Sequence, residues 1–167
     1  MDPYPGEYNN DCYASGLSFS VNRNIPINKI PKSLNNIFIE LKNEYPNITM
    51  TNGDLTSWAL QGVLMINASL TVRPGVPGSH KFLWRGFIKE VLNELNNRSN
   101  TDQLVVMCWG RDAETLLPFV STKAQILKAG HPSPQSFHLF KGCNHFLKTN
   151  AFFKHIGQQP IDFGTYP

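Results

Sequence analysis

An α/β fold, with a short central parallel sheet flanked by helices on both faces, is predicted from two features of this 167-residue sequence. Val63 to Ile66 and Leu104 to Trp109 are short runs without a polar side, as strands buried on both faces are. Gln125 to Ala129 supplies a third strand, and amphipathic helical patterns separate the three. The composition agrees: 41% hydrophobic and 16% charged residues describe a globular chain long enough to bury a core without staples. A single domain over residues 1–167 is expected.

The elements follow in order. Met1 to Ser15 is rich in Pro, Gly, Asn and Tyr and reads as loop. Leu17 to Val21 reads as a short extended piece. Ser33 is expected to cap a helix whose apolar residues Leu34, Ile37, Phe38 and Leu41 recur at helical spacing. Asp54 is expected to cap a shorter helix through Ala59, ended by Gly62. After the Val63 to Ile66 strand comes a loop holding Pro74, Gly75, Pro77 and Gly78. The strongest helical pattern follows, with Trp84, Phe87, Ile88, Val91, Leu92 and Leu95 on one face. Leu104 to Trp109 stops at Gly110, and Ala113 to Leu117 forms a short helix. Beyond the third strand, Phe146 to Ile156 is a terminal helix stopped by Gly157.

Charge and cysteine usage narrow the function classes. The net charge is +3 and sits unevenly: residues 111–167 carry six Lys/Arg against three Asp/Glu, and four of the five His. An anionic partner would meet that part. Three cysteines (Cys12, Cys108 and Cys143) with no CxxC pattern read as reduced, free thiols of an intracellular protein. No aliphatic run approaches the roughly 20 residues that span a bilayer, so no membrane association is expected. Cys143 and His145 lack a second metal-type pair, and no metal site is expected.

In parallel sheets ligands bind outside the carboxyl ends of the strands. Two such ends carry chemistry: Asn67 follows the first strand, and Gly130-His131-Pro132-Ser133-Pro134 follows the third. A third segment, Asp2-Pro3-Tyr4-Pro5-Gly6, opens the chain. Each alone is commonplace, since such turns, strand-end asparagines and proline loops abound. In this order and spacing they resemble the family 1 uracil-DNA glycosylases, and the resemblance runs from Asp2 to about Phe163. Asp2-Pro3-Tyr4 resembles the family's water-activating loop, and Gly16 to Val21 its uracil-stacking segment. Ile30-Pro31-Lys32-Ser33-Leu34 resembles the proline-rich DNA loop. Gly62 to Asn67 with Leu70-Thr71-Val72-Arg73 resembles the uracil-recognition strand. His131 to Pro134 followed by Gly142 to Phe146 resembles the catalytic and minor-groove loop.

The resemblance implies hydrolysis of the N-glycosidic bond of deoxyuridine flipped out of single- or double-stranded DNA, leaving an abasic site. The alternative is a catalytically impaired relative acting as a DNA-binding or protein-interaction module. Phe19 would supply the stacking plate. The Asn67 amide, one acceptor and two donors, would pair with uracil and leave cytosine unpaired, provided it cannot rotate. Tyr4 would wall off the thymine methyl. Asp2 would stabilise the sugar cation and orient water, and a neutral His131 would donate to uracil O2 as charge grows there. Ser33 and Ser133 would hold phosphates, with Lys32, Lys141 and Lys148 as supplementary cations. No cofactor or metal is implied, since the leaving group is stabilised in place. A monomer in a DNA-containing intracellular compartment is expected.

Four departures from the family pattern stand out. Gln135 occupies the position of a wedge leucine, which implies weaker action on duplex than on single-stranded DNA. Lys32 replaces a second proline, and Pro5 replaces a histidine. The chain begins one residue before Asp2, whereas the family leads into this loop with a strand interior to a four-stranded sheet. Three strands, N-terminal truncation and an Asp2 on a loose terminus are therefore expected. Met1 would be either an internal methionine of a longer protein or the start of a chain with little activity.

Overall fold

The computed structural model describes residues 2–8, 11–98 and 100–166. The elements are β1 (Glu7–Tyr8), β2 (Asp11–Cys12), α1 (Lys32–Glu44), α2 (Thr56–Leu60), α3 (Lys81–Asn96), β3 (Val105–Trp109), α4 (Arg111–Glu114), β4 (Gln125–Ala129) and α5 (His145–His155), with single 3-10 turns between them. The α/β class holds: β3 and β4 form a parallel pair in register from Val105 opposite Gln125 to Trp109 opposite Ala129.

The third expected strand does not join that pair. Among the described residues, 63–66 make no ladder. A second cavity of about 150 Å³, lined by Ile66, Asn67, Val106 and Cys108, lies between that segment and β3. Strands pair only at a spacing of roughly 4.7–4.9 Å, and here empty space rather than a ladder neighbour lies beside the 63–66 segment. The 63–67 segment is tied elsewhere: Val63 N–H donates to the Trp58 carbonyl (3.1 Å), and the Met65 carbonyl accepts from Ser18 N–H (3.2 Å).

The core lies where α1, α2 and α5 meet. Leu34, Ile37, Phe38 and Leu41 are the buried stripe of α1, as their spacing predicts. Trp58, Phe146 and Phe163 close edge-to-face, with centroids 4.9–5.9 Å apart. The Trp58 indole N–H donates to the Phe163 carbonyl at 3.0 Å, so the buried ring leaves no orphan donor. Two buried carboxylates of α1 brace the approach to α5. Glu40 accepts from Gly142 and Asn144 N–H (2.8 and 3.1 Å), and Glu44 accepts from Leu147 N–H (2.6 Å).

Four local expectations change. Ser33 does not cap α1: the helix begins at Lys32 behind Pro31, and no side chain caps it. Pro31, with its fixed φ, takes the cap position, and Ser33 lies half-buried inside the first turn, on the wall of a cavity. Residues 17–19 form a turn rather than an extended piece. The N-terminal loop contains the antiparallel β1–β2 pair. In α3 only Ile88 is buried; Trp84, Val91, Leu92 and Leu95 are half-buried and Phe87 is exposed, and Ile88 and Leu92 face β3 across the cavity of about 150 Å³ rather than packing directly on it. Asp54 does act at the start of α2, accepting from Thr56 N–H at 2.9 Å.

Gly53 is a point of close approach. A β-carbon there would lie 2.5 Å from Val21 Cγ2 and 3.1 Å from both Ile30 Cγ2 and Leu34 Cδ2. All three neighbours are buried and cannot swing away. Gly53→Ala is expected to lower unfolding free energy by about 1–3 kcal/mol, read as a lower urea midpoint at unchanged slope.

Candidate active site

The site is built at the carboxyl ends of β3 and β4. Gly110 N–H donates to the Ala129 carbonyl at 2.9 Å, so both chains leave the sheet at the same level. Beyond β4 the chain turns into His131. A β-carbon on Gly110, whose φ is 91°, would lie 2.9 Å from His131 Cβ. Only glycine combines that conformation with that approach.

The His131 loop is held from several sides. Asn36 of α1 donates to the Pro132 carbonyl (2.8 Å), and Ser136 Oγ donates to the His131 carbonyl (2.7 Å). Ser133 N–H donates to His131 Nδ1 at 3.0 Å. A backbone amide can only donate, so Nδ1 is an acceptor and the neutral ring carries its proton on Nε2. Burial pushes the His131 pKa down to about 4, which keeps the ring neutral at pH 7.

Phe19 faces this imidazole. It adopts a left-handed backbone with φ 65°, rare for an aromatic residue and a form of strain that clusters at functional sites. Its ring lies 5.6 Å from His131 and 5.8 Å from Trp109, centroid to centroid. Trp109 in turn packs on Phe140 and Phe146, which couples the plate to the core. The Trp109 indole donates to His145 Nδ1 at 2.9 Å. Burial holds His145 near pKa 4 as well.

A cavity of about 440 Å³ opens in front of these rings. Asp2, Tyr4, Phe19, Ser33, Asn67, His131 and Ser133 all line it, with Leu70, Val72 and Pro77 as apolar wall. Seven of the eleven residues given a role in the sequence thus share one hollow. Gln135 is absent from its lining and lies exposed three residues beyond Pro132. Asp2 accepts from Gly78 N–H at 2.6 Å, so the 74–78 loop orients the carboxylate. Tyr4 is partly buried, burial raises its phenol pKa, and its ring meets Tyr13 edge-to-face at 6.3 Å. Asn67 Oδ1 accepts from Ser18 Oγ at 2.9 Å. Lys32 and Lys141 are exposed, and Lys148 is spent on the Cys143 carbonyl (2.7 Å).

Sequence reasoning missed Asn36, Ser18 and the Gly78 amide. Their partners lie 96, 49 and 76 residues away, and no local pattern signals such pairs. Glu40, Glu44 and Cys143 place ligand-type atoms within 4.8 Å of one another. Both Glu40 oxygens and one of Glu44's already accept backbone amides, which marks the cluster as bracing. No helix among the described residues is long and apolar enough to cross a membrane.

A flat aromatic plate, a primary amide, a neutral imidazole and a carboxylate surround one cavity, an arrangement able to stack and hydrogen-bond a planar heterocycle. Comparisons with known proteins agree. Residues 4–154 match the model of the uracil DNA glycosylase superfamily, and the chain belongs to that family. It is 44% identical over 158 residues to a uracil-DNA glycosylase of Campylobacter jejuni strain 81-176, covering 93% of this chain and 66% of the relative. It is also 44% identical over 166 residues to the varicella-zoster virus enzyme of that name, covering 98% and 51%. The crystal structure of mimivirus uracil-DNA glycosylase superposes with a TM-score of 0.86 at 32% identity, covering 99% of this chain and 66% of that one. The chain therefore spans about two thirds of the length of these bacterial and mimivirus relatives, and about half that of the viral one.

The buried groups set an acid response. Unfolded histidines titrate near about 6.5, so below that pH the unfolded chain binds protons that His131 and His145 refuse until about 4. Stability therefore falls as pH drops through this window. Glu44 opposes the trend. Burial raises its pKa to about 7, so the folded state holds a proton that the unfolded state releases above about 4.3. In urea titrations between pH 4.5 and 6.5, Glu44→Gln is expected to steepen the acid loss relative to the parent chain. An unchanged slope would contradict these assignments.

Proposed function

We propose that the chain is a single uracil-DNA glycosylase domain spanning residues 1–167. In this reading it hydrolyses the N-glycosidic bond of deoxyuridine flipped out of DNA, releasing uracil and initiating base-excision repair. The observation that carries the reading is the shared cavity of Asp2, Phe19, Asn67 and His131. The presence of Asp2 on that wall, with its carboxylate held by Gly78 N–H, favours this function over a catalytically impaired relative.

The flipped base stacks on Phe19. The Asn67 amide donates to uracil O4 and accepts from N3–H, a pattern that cytosine reverses. Tyr4 excludes the thymine methyl by contact, since attraction alone cannot reject a methyl. As the bond from C1′ to N1 breaks, its electron pair passes to the uracil ring and charge grows on O2. The His131 Nε2–H, fixed by the acceptor role of Nδ1, donates to that oxygen. Asp2 stabilises the cationic sugar and orients the water that adds to C1′. No lysine stands at the water position, so the product is an abasic site with no Schiff-base step.

Ser33 and Ser133 hold phosphates on either side of the flipped nucleotide, with Lys32 adding charge. Gln135 enters the gap left in the stack as a polar and weaker wedge. Neither a cofactor nor a metal has a role in these steps. The protein acts as a monomer in an intracellular compartment that contains DNA.

Uracil release from a single-stranded oligonucleotide tests the proposal. Asp2→Asn is expected to lower kcat on the order of 10²–10⁴-fold, and His131→Ala on the order of 10²–10³-fold. Release by neither the parent chain nor the variants would contradict it. Gln135→Leu is expected to raise the ratio of duplex to single-strand activity, and an unchanged ratio would remove Gln135 from the wedge role.

A further inference from the structure

Discrimination by an amide demands that the amide not turn over. Rotated by half a turn, Asn67 would present a donor where its acceptor was and would suit cytosine instead of uracil. A strand ladder would be the ordinary stiff mount for it. Residues 63–67 have none among the described residues, so the orientation of the amide must be set by something else.

We propose that Ser18 is the positioning residue that locks the Asn67 amide in its uracil-reading orientation, and so sets uracil over cytosine. This inference rests on the uracil reading of the site. Ser18 is 6% exposed, and its hydroxyl donates to Asn67 Oδ1 at 2.9 Å. Among the described residues this is the sole hydrogen bond made by either side chain. If the amide turned over, its NH2 would face Ser18 Oγ, and the hydroxyl proton would lose its acceptor in a buried place. Burying an unsatisfied donor is costly, so the present orientation is favoured. Oδ1 keeps a second lone pair for uracil N3–H, and the NH2 group stays free for O4.

The same residue fixes the segment as well as the amide. Ser18 N–H donates to the Met65 carbonyl, two residues before Asn67. Ser18 immediately precedes Phe19, whose left-handed turn aims the ring into the cavity. Plate and amide are therefore joined through one residue, which touches the base in neither role.

Competition by free bases reads the lock apart from catalysis. Free uracil and free cytosine are titrated as inhibitors of uracil release, or by calorimetry, against the parent chain, Ser18→Ala and Ser18→Cys. The parent chain is expected to favour uracil. Ser18→Ala is expected to lower the uracil-to-cytosine affinity ratio about tenfold, equivalent to about 1.4 kcal/mol, at an unchanged circular dichroism spectrum. Ser18→Cys, near in shape but a weaker donor, is expected to fall between them. A loss of uracil and cytosine affinity in equal proportion would mark Ser18 as merely structural and overturn the proposal. So would a ratio in Ser18→Ala equal to the parent's, or a Cys ratio outside the order set by donor strength. A parent chain without preference for uracil would instead overturn the uracil reading itself.

Discussion

The parallel register of β3 on β4 is the constraint on which the site depends. Trp109 pairs with Ala129, and the Gly110 amide continues the ladder onto the Ala129 carbonyl. Both chains therefore leave the sheet side by side. That exit puts Gly110 under His131 with no room for a β-carbon. It also puts the Trp109 ring between the core aromatics Phe140 and Phe146 and the plate Phe19. A slip of one residue would turn every side chain to the opposite face and separate the plate from the imidazole. The reactive geometry is thus set by backbone pairing first and by loop chemistry second.

Burial then does the electrostatic work. His131 sits among rings and is driven to its neutral form, and one backbone amide chooses its tautomer. In the proposed reaction a neutral donor suits an oxygen that gains charge only as the bond breaks, because it binds the ground state less strongly than the transition state. The cost falls elsewhere: Phe19 holds a left-handed backbone, and two imidazoles must stay unprotonated for the fold to keep its stability in acid. These strains are tolerated because α1 over-determines the loops. Asn36 holds Pro132, while Glu40 and Glu44 hold the approach to α5.

Much of the cavity lining and of the helix and strand pattern was legible in the sequence. Asp2, Tyr4, Phe19, Ser33, Asn67, His131 and Ser133 come from five separate stretches, yet motif order assigned them to one site, and all line one cavity. The stripe of α1 and the β3 and β4 strands followed from periodicity. What the sequence concealed was relational. The run 63–66 is apolar enough for a strand, but a ladder needs a neighbour at the right distance, and a cavity stands there instead. Ser33 has the composition of a cap, but Pro31 takes that position. The apolar residues of α3 predict a fully buried face, but only Ile88 is buried, Val91, Leu92 and Leu95 are half-buried and Phe87 is exposed. The Ser18 to Asn67 hydrogen bond joins residues 49 apart and has no sequence signature.

The central claim is that residues from four distant stretches close around one pyrimidine. A crystal structure of the chain soaked with free uracil tests it most directly. The base is expected flat on Phe19, its N3–H and O4 edge on the Asn67 amide and its O2 within hydrogen-bond reach of His131 Nε2, with Asp2 facing the vacant sugar position. Uracil bound elsewhere, or bound there with its O2 edge turned away from His131, would contradict the account.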